Sequence, residues 1–286
     1  MLNLCVSGNF YGNKTAPIAE RFRFIAEMGW KEIDFDLPVP FIMQENLAAA
    51  AEEVMTQAQA QGLKIRFAHL PFSFPKKDDA EGWERFRTAS LKAMEVAKQF
   101  GVDAAAIHPY SYMNPDWKNY NRRTECKNAR EFLAPYCDYA HKVGLNLAIE
   151  NMRGAGQFAP QYIHRFGMEV EDIVDLADDM DEGICWDTGH GNISMQAQYD
   201  SLVYIGKRLR EVHLDDNCGQ DDNHIAPYTG LVDWSGVAQG LREIGYKGSL
   251  NFEISCARAP EPLRPFYGKY IFESAKYIQG MVGDGE

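Results

Sequence analysis

A short apolar or β-branched run followed by a helical stretch recurs eight times along the chain, and no other feature restricts the fold so much. The runs are NLCVSG (3–8), KEIDFDL (31–37), LKIRFAHL (63–70), VDAAAIHP (102–109), LNLAIEN (145–151), GICWDT (183–188), REVHLDD (210–216) and GSLNFEIS (248–255). Helical segments follow them at about 17–28, 44–61, 81–100, 122–143, 169–180, 195–207, 234–244 and 264–280. Gly62, Gly101, Gly144 and Gly245 stand just past four of these, where a residue free to turn left-handed ends a helix. Strands alternating with helices imply a parallel sheet with right-handed crossovers. Eight such units close on themselves, so the expected fold is an α/β (β/α)8 barrel. The length of 286 residues suits one barrel of about 250, and a single domain spanning 1–286 is expected.

Three loops after strands exceed the usual two to six residues: 71–80, 109–121 and 214–233. All follow the C-terminal ends of strands, the face where barrels of this kind carry their sites. They hold Phe72, Phe74, Tyr110, Tyr112, Trp117 and Tyr228, aromatic rings suited to stacking on a ligand or to excluding water. Phe72, Tyr110 and Trp117 are the expected ligand contacts among them.

Composition narrows the partners. The formal charge is −12, which disfavours nucleic acid, since binding to phosphate rests on Lys and Arg displacing counterions. A small-molecule ligand is favoured. No apolar run approaches the roughly 20 residues of a bilayer span, so no membrane association is expected. The start MLNLCVSGNFYGNK has no basic segment before an apolar stretch, and the expected location is cytoplasmic. Six cysteines are spread without a CxxC pair, which suits reduced thiols better than a disulfide framework.

Nine metal-capable side chains fall at or after the ends of these runs: His69, His108, Glu150, Asp187, His190, His213, Asp222, His224 and Glu253. Strand alternation turns Val212 and Leu214 toward the helices and His213 and Asp215 inward. It likewise sets Glu150 opposite Ile149, and Asn251, Glu253 and Ser255 opposite Leu250, Phe252 and Ile254. Carboxylates at the centre of a barrel need a counter-charge. No Lys or Arg stands at the ends of strands five to eight, so a divalent cation held by Glu150, Asp187, His213 and Glu253 is expected. Mixed oxygen and nitrogen donors admit Mn, Zn, Co or Mg without choosing among them. His69, His108, His190, Asp222 and His224 are candidates for a second metal or for the ligand. Arg153 and Arg258 are candidates for a phosphate or carboxylate. His141 and His164 lie away from strand ends and are read as solvated.

Taken together, IENM (149–152), WDTGHGN (186–192), HLDDN (213–217), DNHIAPYTGLVDW (222–234) and FEIS (252–255) resemble the xylose isomerase-like TIM-barrel superfamily, which includes sugar phosphate isomerases and epimerases and the endonuclease IV (AP endonuclease family 2) type. The resemblance runs from about Arg66 to Ser255. In the ketose 3-epimerase and inosose-type branches, four ligands matching Glu150, Asp187, His213 and Glu253 hold one metal. The two glutamates there also act as acid and base through a cis-enediolate, and the histidine matching His190 contacts substrate. The resemblance therefore implies a metal-dependent isomerase or epimerase of a sugar, sugar phosphate or inositol-type polyol, with Glu150 and Glu253 catalytic. Carbohydrate lyase or dehydratase chemistry and a non-catalytic sugar- or metal-binding barrel are the alternatives. A further alternative is a zinc phosphodiesterase, because all nine ligand types of the endonuclease IV branch have a counterpart here. Two departures stand out: HLDDNCGQ lacks the arginine that follows the strand-seven histidine in ketose 3-epimerases, and also the serine and lysine of the endonuclease branch. Barrels of this kind often pair through loops and helices, so a homodimer is compatible with the chain.

Overall fold

The computed structural model describes residues 2–113, 117–154 and 164–283, with the side chain of Trp117 outside the described set. Eight parallel strands form a closed barrel in chain order: β1 Leu4–Ser7, β2 Glu32–Asp36, β3 Lys64–His69, β4 Ala104–Ile107, β5 Leu147–Glu150, β6 Gly183–Asp187, β7 Leu209–His213 and β8 Leu250–Phe252. Each is shorter than the run that contains it, because the run continues into the turn that leaves the barrel. β8 ends at Phe252, so Glu253 stands just beyond the strand and Ser255 caps a 3-10 turn instead.

The surrounding helices are α1 Ile18–Met28, α2 Val39–Ile42, α3 Leu47–Ala60, α4 Ala80–Phe100, α5 Arg122–Val143, α6 Val170–Met180, α7 Thr188–Ile193, α8 Gln198–Ile205, α9 Trp234–Glu243 and α10 Arg264–Gly283. Two are additional to the eightfold pattern. α2 follows Pro38, and α7 grows directly from the end of β6. Gly101 and Gly144 take the left-handed conformation that ends α4 and α5.

Strand alternation divides the core. Ile33, Phe35, Ile149, Trp186, Val212, Leu250 and Phe252 point outward into one large apolar layer under the helices. Inside the barrel, two small clusters, Cys5–Phe67–Ala104 and Ala106–Ala148–Cys185, fill part of the space. The rest includes polar side chains: Asp34, Glu211, His213 and Asn251 are all buried there. Neighbouring strands share three to five register pairs, except β7 and β8, which pair at His213↔Asn251 alone. Among the described residues no helix is long and apolar enough to cross a membrane.

Candidate metal centre

His69, Glu150, Asp187 and His213 are the last residues of β3, β5, β6 and β7, and His108 and Glu253 directly follow β4 and β8. Six strands thus deliver donors to one point. Ligand atoms of Glu150, Asp187, His213 and Glu253 all lie within 4.8 Å of one another, and those of His69, His108 and Glu150 form a second such group. Glu150 belongs to both. Its Oε2 lies 3.0 Å from His69 Nε2 and 3.1 Å from His108 Nε2. Its Oε1 lies 3.4 Å from both His190 Nδ1 and His213 Nδ1. His213 Nδ1 is also 3.1 Å from Glu253 Oε2.

His190 arrives through α7. Asp187 caps that helix, its Oδ1 accepting from the His190 backbone N–H at 2.6 Å, so one short turn folds the imidazole back over its own strand. The glycines of WDTGHGN are dictated by space. A Cβ on Gly189 would sit 2.2 Å from Asp215 Oδ1, and one on Gly191 would sit 2.7 Å from the Trp186 ring.

Asp222 and His224 come from the long loop, and Asp216 is the residue that shapes it. Its Oδ1 accepts from the N–H groups of Asn217 and Val232, and its Oδ2 from Gly230 N and Trp234 Nε1, at 2.9–3.1 Å. The Asp216 and Ile225 backbones exchange both of their hydrogen bonds. The loop is thereby folded double, and Asp222 Oδ2 reaches His190 Nε2 at 3.2 Å while Asp222 Oδ1 reaches His224 Nε2 at 3.3 Å. His224 takes a φ of +45°, a conformation uncommon outside glycine.

The donor set fits a cation. His69, His190 and His224 each face a backbone carbonyl with Nδ1: Leu70 O at 2.8 Å, Asn151 O at 2.8 Å and Glu253 O at 2.7 Å. A carbonyl only accepts, so Nδ1 carries the proton and Nε2 presents its lone pair. In each case that lone pair is aimed at a carboxylate oxygen, 3.0–3.3 Å away. Two acceptors do not bond each other; a proton or a metal ion must lie between them. Asp187 Oδ2, Asp222 Oδ1 and His213 Nδ1 are also buried without a hydrogen-bond partner among the described residues.

The electrostatics agree. Burial opposes ionisation of Glu150, but His108 and His213 outweigh it and hold the carboxyl well below its ordinary range. Burial likewise opposes charge on Glu253, yet His213 and His224 draw it down to about 2. Burial lifts Asp187 to about 6. Against the cost of burial, Glu150 raises His69 to about 9, and Asp187 with Asp222 raises His190 to about 10. His69, His190, His213 and His224 take up protons to balance the acids, whereas burial lowers His108, and a cation would displace those protons.

The other expected ligand contacts scatter. Phe72 packs edge-on to His69, ring centroids 4.9 Å apart, and 5.7 Å from His108. Tyr110 does not join it: its ring packs on Phe74, Trp83, Tyr112 and Phe132, in a cluster between α4 and α5. Tyr228 faces away too, its hydroxyl on Met281. Arg153 Nε lies 3.7 Å from Asp222 Oδ2. Arg258 is exposed and donates at 3.2 Å to the Asn223 amide oxygen, once that amide is turned to face it. His141 and His164 lie outside the site as expected but are not merely solvated. His141 pairs with the buried Glu182 at 3.0 Å, and His164 stacks on Tyr120.

Three buried acids, a half-buried one and one arginine were not singled out as site residues from sequence. Asp34, Asp36 and Glu211 obey the same inward alternation as the ligands. Asp215, expected inward, has both carboxylate oxygens buried without a partner among the described residues, beside Asp187 and His224. Arg165 donates to Ser111 Oγ at 3.2 Å, and burial, with Arg153 nearby, lowers it to about 10.

The family model described as xylose isomerase-like TIM barrel matches residues 22–269. The chain belongs to that family. Within it, an uncharacterised protein of Methanocaldococcus jannaschii, MJ1311, is 29% identical over 194 residues, 65% of this chain; the chain spans only 62% of that relative's length. A D-psicose 3-epimerase of Ruminiclostridium cellulolyticum is 22% identical over 236 residues, covering 80% of this chain and 75% of its own. Among solved structures, D-psicose 3-epimerase in the presence of D-fructose superimposes with a TM-score of 0.75 at 16% identity, covering 98% of this chain and 100% of its own.

Proposed function

We propose that this barrel is a divalent-metal-dependent isomerase or epimerase of a sugar, a sugar phosphate or an inositol-type polyol. The observation that carries the reading is the group of Glu150, Asp187, His213 and Glu253, whose ligand atoms lie within 4.8 Å of one another at the strand ends. These residues would hold the cation, and Mn, Zn, Co and Mg all suit their mixed donors. Once bound, the cation supplies Lewis-acid polarisation of a carbonyl and its neighbouring hydroxyl. The D-psicose 3-epimerases among relatives and structural neighbours support the reaction class.

The side chains divide the remaining work. Glu150 and Glu253 approach His213 from different strands, so they flank the space in front of its Nδ1. One carboxylate removes a proton from carbon, and the other returns one, to the opposite face for epimerisation. His190, its ring held by the Asn151 carbonyl, orients a substrate hydroxyl. Phe72, over His69 and His108, shields the reacting carbon from water. Metal content by elemental mass spectrometry, followed by ketose and inositol panels in D2O, tests this. Solvent deuterium at a stereocentre, abolished by chelator, is expected. Loss of water or of an aglycone would redirect the chemistry to a lyase or dehydratase, and sugar binding without exchange would make the barrel a binding module.

A specific observation favours a second reading. The five remaining donors also converge, His69 and His108 on Glu150 and His190 and His224 on Asp222, as a three-zinc phosphodiesterase requires. Two or three zinc ions per chain with chelator-sensitive cleavage of an abasic duplex would establish it. No cleavage across low salt removes it.

A further inference from the structure

Three buried polar residues lie one layer below the metal donors, inside the barrel, and take no part in the chemistry above: Asp34 on β2, Glu211 on β7 and Asn251 on β8, which meet the inner edge of His213. Asn251 Nδ2 donates to Asp34 Oδ2 at 3.0 Å and to Glu211 Oε1 at 3.1 Å. His213 Nε2 faces the same two oxygens, Glu211 Oε1 at 3.4 Å and Asp34 Oδ2 at 3.7 Å.

His213 differs from three of its neighbours in how its ring is turned. His69, His190 and His224 secure Nδ1–H on a backbone carbonyl and offer Nε2 to the carboxylates. His213 is reversed. Its Nδ1 faces Glu150 Oε1 and Glu253 Oε2, so its proton belongs on Nε2, where no backbone carbonyl accepts it among the described residues. The oxygens within reach of that proton are those of Glu211 and Asp34.

We infer that Glu211 is a positioning residue for the metal, with Asp34 and Asn251 holding it in place. Glu211 accepts a hydrogen bond from the His213 Nε2–H, fixes the tautomer and directs the Nδ1 lone pair at the cation. The register pair His213↔Asn251 brings Asn251 beside the imidazole it helps to orient. Cys185, the remaining neighbour, offers only a thiol sulfur, a weak acceptor beside a carboxylate oxygen. The inference rests on His213 being a metal ligand, as the proposed function has it.

A purely structural role and a positioning role predict opposite patterns. Glu211 and Asp34 are two buried acids that meet at one Asn251 amide, and removing one of them relieves like-charge repulsion, whereas losing the partner of a metal-bound histidine costs about 10–100-fold in metal affinity. The probe is Co2+, followed by chelator competition for the dissociation constant and by visible absorption for the coordination. Glu211→Met is expected to weaken Co2+ binding by about tenfold or more and to alter the absorption, with no fall in the Tm of the metal-free protein. Glu211→Gln keeps an oxygen to accept from Nε2 and is expected to restore most of both. Asp34→Leu is measured in parallel, so that either apolar variant can decide if the other does not fold. Wild-type Co2+ affinity and spectrum in a folded apolar variant, while His213→Ala loses binding, overturn the positioning role alone. A wild-type protein that binds no Co2+ overturns the metal reading and this inference with it.

Discussion

Glu150 and Glu253 would share the proton transfers, yet their surroundings are unequal, and substitution should expose that. Glu150 is buried among four imidazoles; Glu253 touches His213 and His224 and is a quarter exposed. Glu150→Gln is expected to lose bound metal and turnover together, while Glu253→Gln keeps metal and loses turnover by about 10²–10⁴-fold. Elemental analysis beside deuterium incorporation separates the two. Arg165 is desolvated, with no carboxylate in ion-pair reach among the described residues. For a phosphorylated substrate, Arg165→Met should raise KM about tenfold or more; for a neutral one KM should stay within about twofold, as parallel KM measurements would read. At this scale the six strand-end donors were legible because each closes a β run, where period two makes direction predictable. Glu211 and Asp34 escaped notice because attention to strand ends passes over the layer beneath. Tyr110 went astray because an irregular backbone has no period, so nothing in its neighbours foretells where its ring points.

Among elements, the loop between β7 and α9 depends most on one residue. Asp216 accepts four hydrogen bonds across it while fully buried. Asp216→Ala would strand those donors and is expected to cost about 3 kcal/mol or more, measured by urea unfolding. Asp222 and His224 would lose their place, so bound metal should fall toward what the Glu150 groups alone retain. That the loop was long was plain from the sequence. That it folds double was not, because three of the four bonds come from backbone N–H groups that any residue could supply, up to 16 positions away, and the fourth from the Trp234 indole 18 away. α7 was hidden for a related reason: TGHGNI reads as a turn, and only the Asp187 cap makes it a helix.

For the whole molecule, the eightfold alternation carried the topology, since parallel strands with right-handed crossovers leave a barrel as the arrangement that spares every edge. Five carboxylates and five imidazoles share its mouth. Adding a divalent cation at a hundred times its Kd is expected to stabilise the fold by about 2.7 kcal/mol, seen as a rise in Tm that chelator reverses. Where β7 meets β8 the ladder is a single register pair, and His213 and Glu253 stand on its two sides. That seam is where the closed ring would first breathe open, so a cation seated between them would act as a clasp. The amide of Leu214, bonded across the seam to Asn251 O at 2.8 Å, should then exchange its hydrogen with solvent more slowly in the loaded protein. An ion recruited for chemistry would thereby also lengthen the lifetime of the closed barrel.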